Sequence, residues 1–232
     1  MIEVRRGGDR GFADHGWLQS YHSFSFASYR DPAHMQFGPL RVINEDVIAP
    51  ESGFGMHGHR DMEIITYVLS GAITHQDNMG NSSVIQAGHV QRMSAGTGVM
   101  HSEHNRDART PTHMLQIWIE PARQAIAPGY EEKHLDAAAR QGRLALVASE
   151  DGAQDSLTIC QDARLWAGCF NKTQSADLAI DGSRRAYVHL ARGQLQVNGV
   201  LLNGGDALKL SAIDLIRIDQ AQDAEVLVFD LP

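Results

Sequence analysis

Two short pairs of side chains stand out by type and spacing: His57-x-His59, inside GFGMHGHRDMEIITYVLSG (residues 53–71), and His101-x-Glu103, inside GHVQRMSAGTGVMHSEHN (residues 88–105). In an extended strand, residues i and i+2 project to the same face, so each pair aims two ligand atoms at one side of a sheet. Where two such strands meet, three imidazoles and a carboxylate surround one point. That is the composition of a transition-metal site. With 12 His in the chain, either pair alone is a chance-level match, and the company of each pair makes the case. Gly53 and Gly55 precede the first pair, Glu63 follows it, and ITYVLSG reads as a strand closed by a turn glycine. Residues 93–98, MSAGTG, form a tight glycine turn just before His101.

Such a donor set suits Fe(II), the first expectation, and equally Cu(II), Ni(II), Co(II), Mn(II) or Zn(II), because affinity alone does not choose among them. Four protein donors leave an octahedral ion two open positions, whereas a tetrahedral zinc would be saturated and purely structural. Open positions let an oxygen-bearing substrate bind and become acidic, and Glu103 is the natural base for the proton released. Glu63 and Gln116 are candidates for ordering the ring nitrogens, with Glu63 alternatively bracing its strand through a hydrogen bond. Phe54, Met56, Met100 and Met114 lie beside the ligands and read either as the lining of a flat aromatic pocket or as ordinary core.

The elements that must hold these residues are short strands. Residues 40–44, 46–48 and 113–119 have strand composition, and residues 78–81 around Gly80 have the chemistry of a hairpin turn. Residues 11–38, rich in His and aromatics and broken at Asp31-Pro32, read as a hairpin or arm. Phe24 and Phe26 would share one strand face there, and His15 and His22 read as structural hydrogen-bonding residues, with contact to a ligand or its surroundings as the alternative. Many short strands separated by glycine turns predict an all-β sandwich or barrel. Residues 131–141 alone have helical composition. The expected division is therefore a metal-binding domain over 1–122, a linker over 123–142 and a second β domain over 143–232. That second half faintly repeats the first, with Gly193, Gly205 and Leu-Ser-Ala at 210–212 echoing Gly71, Gly88 and Met-Ser-Ala at 93–95. The ligand offsets then fall on Ala179, Asp181, Ile218 and Gln220, so the second repeat is expected to hold no metal.

A net charge of −8 and a sequence pI near 5.8 give no electrostatic footprint for nucleic acid. With 43% hydrophobic and 21% charged residues the composition is globular, not disordered. No apolar run reaches the length of a membrane span and the polar start lacks a signal-peptide core, so the expected location is cytoplasmic. Cys160 and Cys169 are expected to be free thiols, and neither adds a thiolate to the proposed site.

The two motif stretches resemble the paired motifs of the cupins: a glycine-led His-x-His with a following Glu and closing glycine, then a glycine-led turn with a following His. The departures are specific. Gly53 sits close to His57, an extra residue separates Glu63 from Gly71, Ser94 stands where the cupin proline would be, and four residues lie between Gly96 and His101. With His-x-Glu in the second motif, they resemble the pirin branch. The stretch from His15-Gly-Trp-Leu to His22-Ser-Phe-Ser-Phe26, continuing to Asp31-Pro32, is also similar to the pirin signature. The resemblance implies a bicupin of tandem jelly-roll barrels, with His57, His59, His101 and Glu103 as ligands and Glu63 not a ligand. It implies quercetin 2,3-dioxygenase chemistry: a flavonol gives up its 3-hydroxyl proton to Glu103, dioxygen adds across C2 and C4, and carbon monoxide is released. The competing implication is a regulatory, protein-binding role of the kind associated with animal pirins. A small-molecule isomerase or hydrolase on the same site is a third reading, since fold does not fix function.

Overall fold

A computed structural model describes residues 1–232 and divides them into two compact units. The first comprises Gly11–His134 with Leu157–Gln161, and the second comprises Met1–Arg10, Leu135–Ser156 and Asp162–Pro232. Strand β1 (Ile2–Arg5) therefore belongs to the second unit.

The first unit contains β2 (Gly11–Asp14), β3 (Leu18–His22), β4 (Leu40–Ile48), β5 (Gly53–His59), β6 (Glu63–Ser70) and β7 (Ala72–Asp77). It continues with β8 (Ser82–Gln86), β9 (His89–Ser94), β10 (Val99–His104), β11 (Thr112–Ile119) and β12 (Gly129–His134). Seven of these strands form one sheet in the order β12-β9-β6-β11-β4-β3-β2, and four form another in the order β5-β10-β7-β8. The sheets close over a shared core. Leu18, Ile48, Val68 and Met114 of the larger sheet pack with Ile73 and Ile85 of the smaller, joined by Trp17 and Phe54. Full burial of each such aliphatic side chain stabilises by about 1.5–3 kcal/mol. The β6–β7 turn needs Gly71, which has φ +75° and where a Cβ would come within 2.8 Å of the Pro111 carbonyl oxygen.

The second unit contains α1 (Ala137–Arg140) and β13 (Ala145–Ser149); β14 (Leu157–Thr158) lies in the first unit. Then follow β15 (Arg164–Phe170), β16 (Ala176–Ala179), β17 (Arg185–Val197), β18 (Val200–Asn203), β19 (Ala207–Ser211) and β20 (Leu215–Leu231). Antiparallel pairing runs β1·β19, β19·β17, β17·β20, β20·β15 and β15·β13, with β16 on β20 and β18 on β17. Its interior is filled by an apolar cluster that includes Phe170, Val188, Leu190, Leu195, Leu208 and Ile218. Of the four offset positions, Ile218 belongs to this core, while Ala179, Asp181 and Gln220 are exposed.

The architecture is the expected all-β one, with three local differences. Residues 129–134 pair along β9 as a strand, leaving helix only at Ala137–Arg140. The carboxylates that gave this stretch its helical composition serve cross-strand partners instead: Glu131 binds Arg92, and Glu132 binds His89 and Ser83. The division also departs from breaks at 122 and 143, because β1 pairs with β19 and β12 extends the first sandwich to His134. Finally, β3 ends at His22, so Phe24 and Phe26 lie on an irregular segment; Phe24 is buried, and Phe26 bridges Tyr29.

Candidate metal centre

Strand β10 lies between β5 and β7, and its register decides what meets what. His101 stands opposite His57 on one side and Asp77 on the other, while Glu103 stands opposite Phe54 and His75. Directly opposed residues share a face, so the two sequence pairs converge. The ring centroids are 4.4 Å apart for His57 and His101, 4.8 Å for His57 and His59, and 4.9 Å for His59 and His101. One ligand nitrogen from each of the three lies within 4.8 Å of the others.

The charge state of these rings follows from their surroundings. His57 Nδ1 is 2.8 Å from the Gly55 carbonyl oxygen. A carbonyl only accepts, so Nδ1 carries a hydrogen and Nε2 is the nitrogen turned toward the other rings. That Nε2 is 3.1 Å from His101 Nε2. Burial, reinforced by the neighbouring His57, lowers His59 to about 4. Burial also lowers His101 to about 2, with His57, His59 and His75 adding to the effect. His59 and His101, desolvated and neutral, held this close to His57 fit a divalent transition ion, which needs deprotonated ligands.

Glu103 is fully buried and falls outside that triplet; it forms a second, overlapping one with His75 and His101. The Thr66 hydroxyl donates to its Oε1 at 3.0 Å, and the Gln116 amide donates to its Oε2 at 2.8 Å. Burial raises its carboxyl to about 7, with Thr66 and Gln116 opposing and Asp46 adding to the rise. Both anchoring residues come from a polar belt across the larger sheet. Its successive opposed residues are His22, Asn44, Gln116, Thr66, Gln91 and Glu132. Apolar rows flank the belt, with Trp118, Ile64 and Met93 on one side and Met114 and Val68 on the other.

Between the belt and the converging histidines lies a cavity of about 610 Å³, walled by Trp17, Phe26, Phe54 and Trp118 and reached by His57, His59 and Glu103. Asp46 also lines it, hydrogen-bonded by Ser20, and burial raises Asp46 to about 7. This has a consequence for stability. Between the ordinary values of 3.8 and 4.5 and about 7, the folded metal-free chain keeps protons on Asp46 and Glu103 that the unfolded chain has released. Raising the pH through that window therefore favours unfolding, by on the order of 4 kcal/mol for Asp46 alone. The buried neutral rings of His59 and His101 act in the opposite sense over the same window, so the difference between proteins isolates Asp46: in calorimetry with chelator, the thermal midpoint of Asp46→Asn should rise relative to wild type from pH 4 to pH 7. Equal slopes would mean that Asp46 titrates normally.

The other candidates sort by face. Met56 and Met100 are 56% and 41% exposed. Each is one residue from a candidate ligand and so points to the opposite face of its strand. Met114 is core, and Phe54 reaches the cavity edge-on to Trp17. Gln116 serves Glu103 instead of a ring nitrogen, and Glu63 accepts from the Ser94 hydroxyl at 2.7 Å, bracing β6 against β9. His15 and His22 line the cavity, His22 Nδ1 lying 2.9 Å from Asn44 Oδ1. Sequence reasoning passed over Asp46, Trp118 and the pair His75-x-Asp77. The last carried a legible signal, being a His-x-acid pair of the same kind as His101-x-Glu103.

The family model described as Pirin matches residues 4–119, and the one described as Quercetinase C-terminal cupin domain matches residues 146–231. The chain is 45% identical over 232 residues to a quercetin 2,3-dioxygenase of Escherichia coli, covering 100% of this chain and 99% of that protein. It is 48% identical over 233 residues to a putative quercetin 2,3-dioxygenase of Pseudomonas aeruginosa, covering 100% of both. Among solved structures, the bacterial pirin YhhW of Escherichia coli in complex with nickel(II) superposes with a TM-score of 0.95 at 44% identity, covering 100% of this chain and 99% of that one.

Proposed function

The chain belongs to the pirin family of bicupins, and from that premise we propose that it binds one divalent transition ion through His57, His59, His101 and Glu103 and acts as a flavonol dioxygenase of the quercetin 2,3-dioxygenase type. The observation that carries this reading is the convergence of three imidazoles beside an aromatic-walled cavity. The cavity volume is within the range of about 300–1,000 Å³ typical of small-molecule sites. The nickel(II) complex of the Escherichia coli relative supports an ion of this class, and iron and nickel are the first ions to load.

A bound ion would supply Lewis acidity at the cavity wall and redox contact with dioxygen. The chain's own residues do the rest. Trp17, Phe26, Phe54 and Trp118 pack a flat polyphenol and exclude water, while Ser20, Asn44 and Asp46 offer hydrogen bonds to its hydroxyls. Glu103 takes the proton of the 3-hydroxyl, its carboxylate held in position by Thr66 and Gln116. In the reaction, dioxygen adds across C2 and C4 and the carbon between them leaves as carbon monoxide.

The test is direct. Protein loaded with iron or nickel should bind one ion per chain and release carbon monoxide from quercetin in air, measured by elemental analysis and headspace gas. Two ions per chain would overturn the single-site reading. One ion with no turnover for any of the six metals would favour a metal-dependent protein-binding role.

A further inference from the structure

The hairpin of β7 and β8 carries a pair, His75 and Asp77, that the proposed chemistry leaves unused. β7 places Asp77 opposite His101 and His75 opposite Glu103, and both side chains have no exposed surface. The Asp77 carboxylate is surrounded by donors. Its Oδ1 accepts from the backbone N–H groups of Met79 and Asn81 at 2.9 and 3.0 Å. Its Oδ2 lies 2.8 Å from Asn81 Nδ2 and 3.1 Å from His75 Nε2. Burial works against its charge, yet these bonds from Asn81, His75 and Met79 hold its carboxyl below the usual carboxylate range.

Hydrogen positions then follow in sequence. An ionised carboxylate only accepts, so His75 carries a hydrogen on Nε2, and in the neutral ring that burial favours the lone pair is left on Nδ1. His75 Nδ1 is 3.5 Å from His101 Nδ1, at the long end of hydrogen-bonding range, so His101 Nδ1 must be the donor. His101 Nε2 is thereby left bare, facing His57 Nε2 at 3.1 Å. Two further contacts hold the arrangement. Tyr130 stacks on His75 with centroids 5.0 Å apart and planes 29° apart. The turn residue Asn78 donates its N–H to the Met100 carbonyl at 3.0 Å and accepts the Met100 N–H on Oδ1 at 3.1 Å, clamping the backbone next to His101.

We infer that Asp77 and His75 form a hydrogen-bonded relay that fixes the tautomer and ring orientation of His101, so that Nε2 is the nitrogen offered to the metal. The inference rests on His101 being a ligand. Asp77 and His75 are positioning residues: neither is required to touch ion or substrate. Such partners also raise a ligand's basicity, and their loss typically weakens metal binding by about 10- to 100-fold.

The decisive variant is Asp77→Asn. An amide can keep the turn by accepting from the Met79 and Asn81 N–H groups on its oxygen, but its NH₂ then meets the Asn81 side chain, which must turn its own oxygen inward, and donates toward His75 Nε2. Each hydrogen in the relay reverses, and His101 becomes protonated on Nε2. Long-range ¹H–¹⁵N correlation spectra of the metal-free, ¹⁵N-labelled protein read this directly. His101 should carry its hydrogen on Nδ1 in the wild type and on Nε2 in Asp77→Asn. Cobalt(II) affinity, measured by chelator competition with the visible absorption band as readout, should fall about 10- to 100-fold with little change in thermal midpoint. His75→Phe keeps the Asp77 turn and the stack on Tyr130, so it should lose His101 tautomer control even if Asp77→Asn folds poorly. His101→Ala in the same series separates the two claims. If His101→Ala binds cobalt(II) like wild type, the ligand reading fails. If it loses binding while Asp77→Asn and His75→Phe leave tautomer and affinity unchanged, the relay fails and the ligand reading stands.

Discussion

Glu103→Gln is expected to retain measurable metal while turnover of a flavonol per bound ion falls by about 10²- to 10⁴-fold. The substitution preserves shape and hydrogen-bonding length at a site where Thr66 and Gln116 meet the two carboxylate oxygens. It removes the negative charge and the proton acceptor together. His57, His59 and His101 form a triplet of nitrogen donors without Glu103, which is why occupancy should outlast activity. The quantity to measure is initial rate divided by bound metal, with wild type and variant prepared in parallel. Equal values would leave Glu103 as a ligand with no role in proton transfer.

His101→Ala should act on the other quantity. It removes the ring shared by both ligand triplets, so metal affinity should fall by more than the roughly 100-fold typical of groups that only orient a ligand. Stabilisation by metal should disappear with it. An ion at about 1,000 times its dissociation constant adds about 4 kcal/mol to the wild-type folded state. Thermal unfolding with and without nickel(II) therefore separates the proteins: a large upward shift for wild type and almost none for His101→Ala. The metal-free variant should still unfold cooperatively, since the cores built on Ile48, Val68, Ile73 and Met114 and on Ile64, Met93 and Val99 do not include His101. A full metal-induced shift in His101→Ala would place the ion elsewhere.

The sequence by itself determined the parts of this protein that depend on neighbours along the chain. His57 and His59, and His101 and Glu103, share strand faces because side chains alternate with a period of two, and that needs only extended backbone. The same period, applied one residue further, would have turned Met56 and Met100 away from the cavity. Turn chemistry was equally local, as Gly71 and the Asp77–Asn81 corner show.

Only the tertiary structure decided which strands became neighbours and in what register. A slip of one residue would send every side chain of β10 to the other face, and that register is held by pairing with β5 and β7, distant in sequence. It is this pairing that sets His75 and Asp77 against Glu103 and His101, and the larger sheet that brings Thr66 and Gln116 to Glu103. Long-range pairing also overrode composition at residues 131–134, where acidic side chains with helical preference became a strand because Arg92, His89 and Ser83 were there to receive them. Asp46 shows the same limit: nothing in its own neighbourhood marks it as special, and its carboxyl is raised by burial that only the closed sandwich provides.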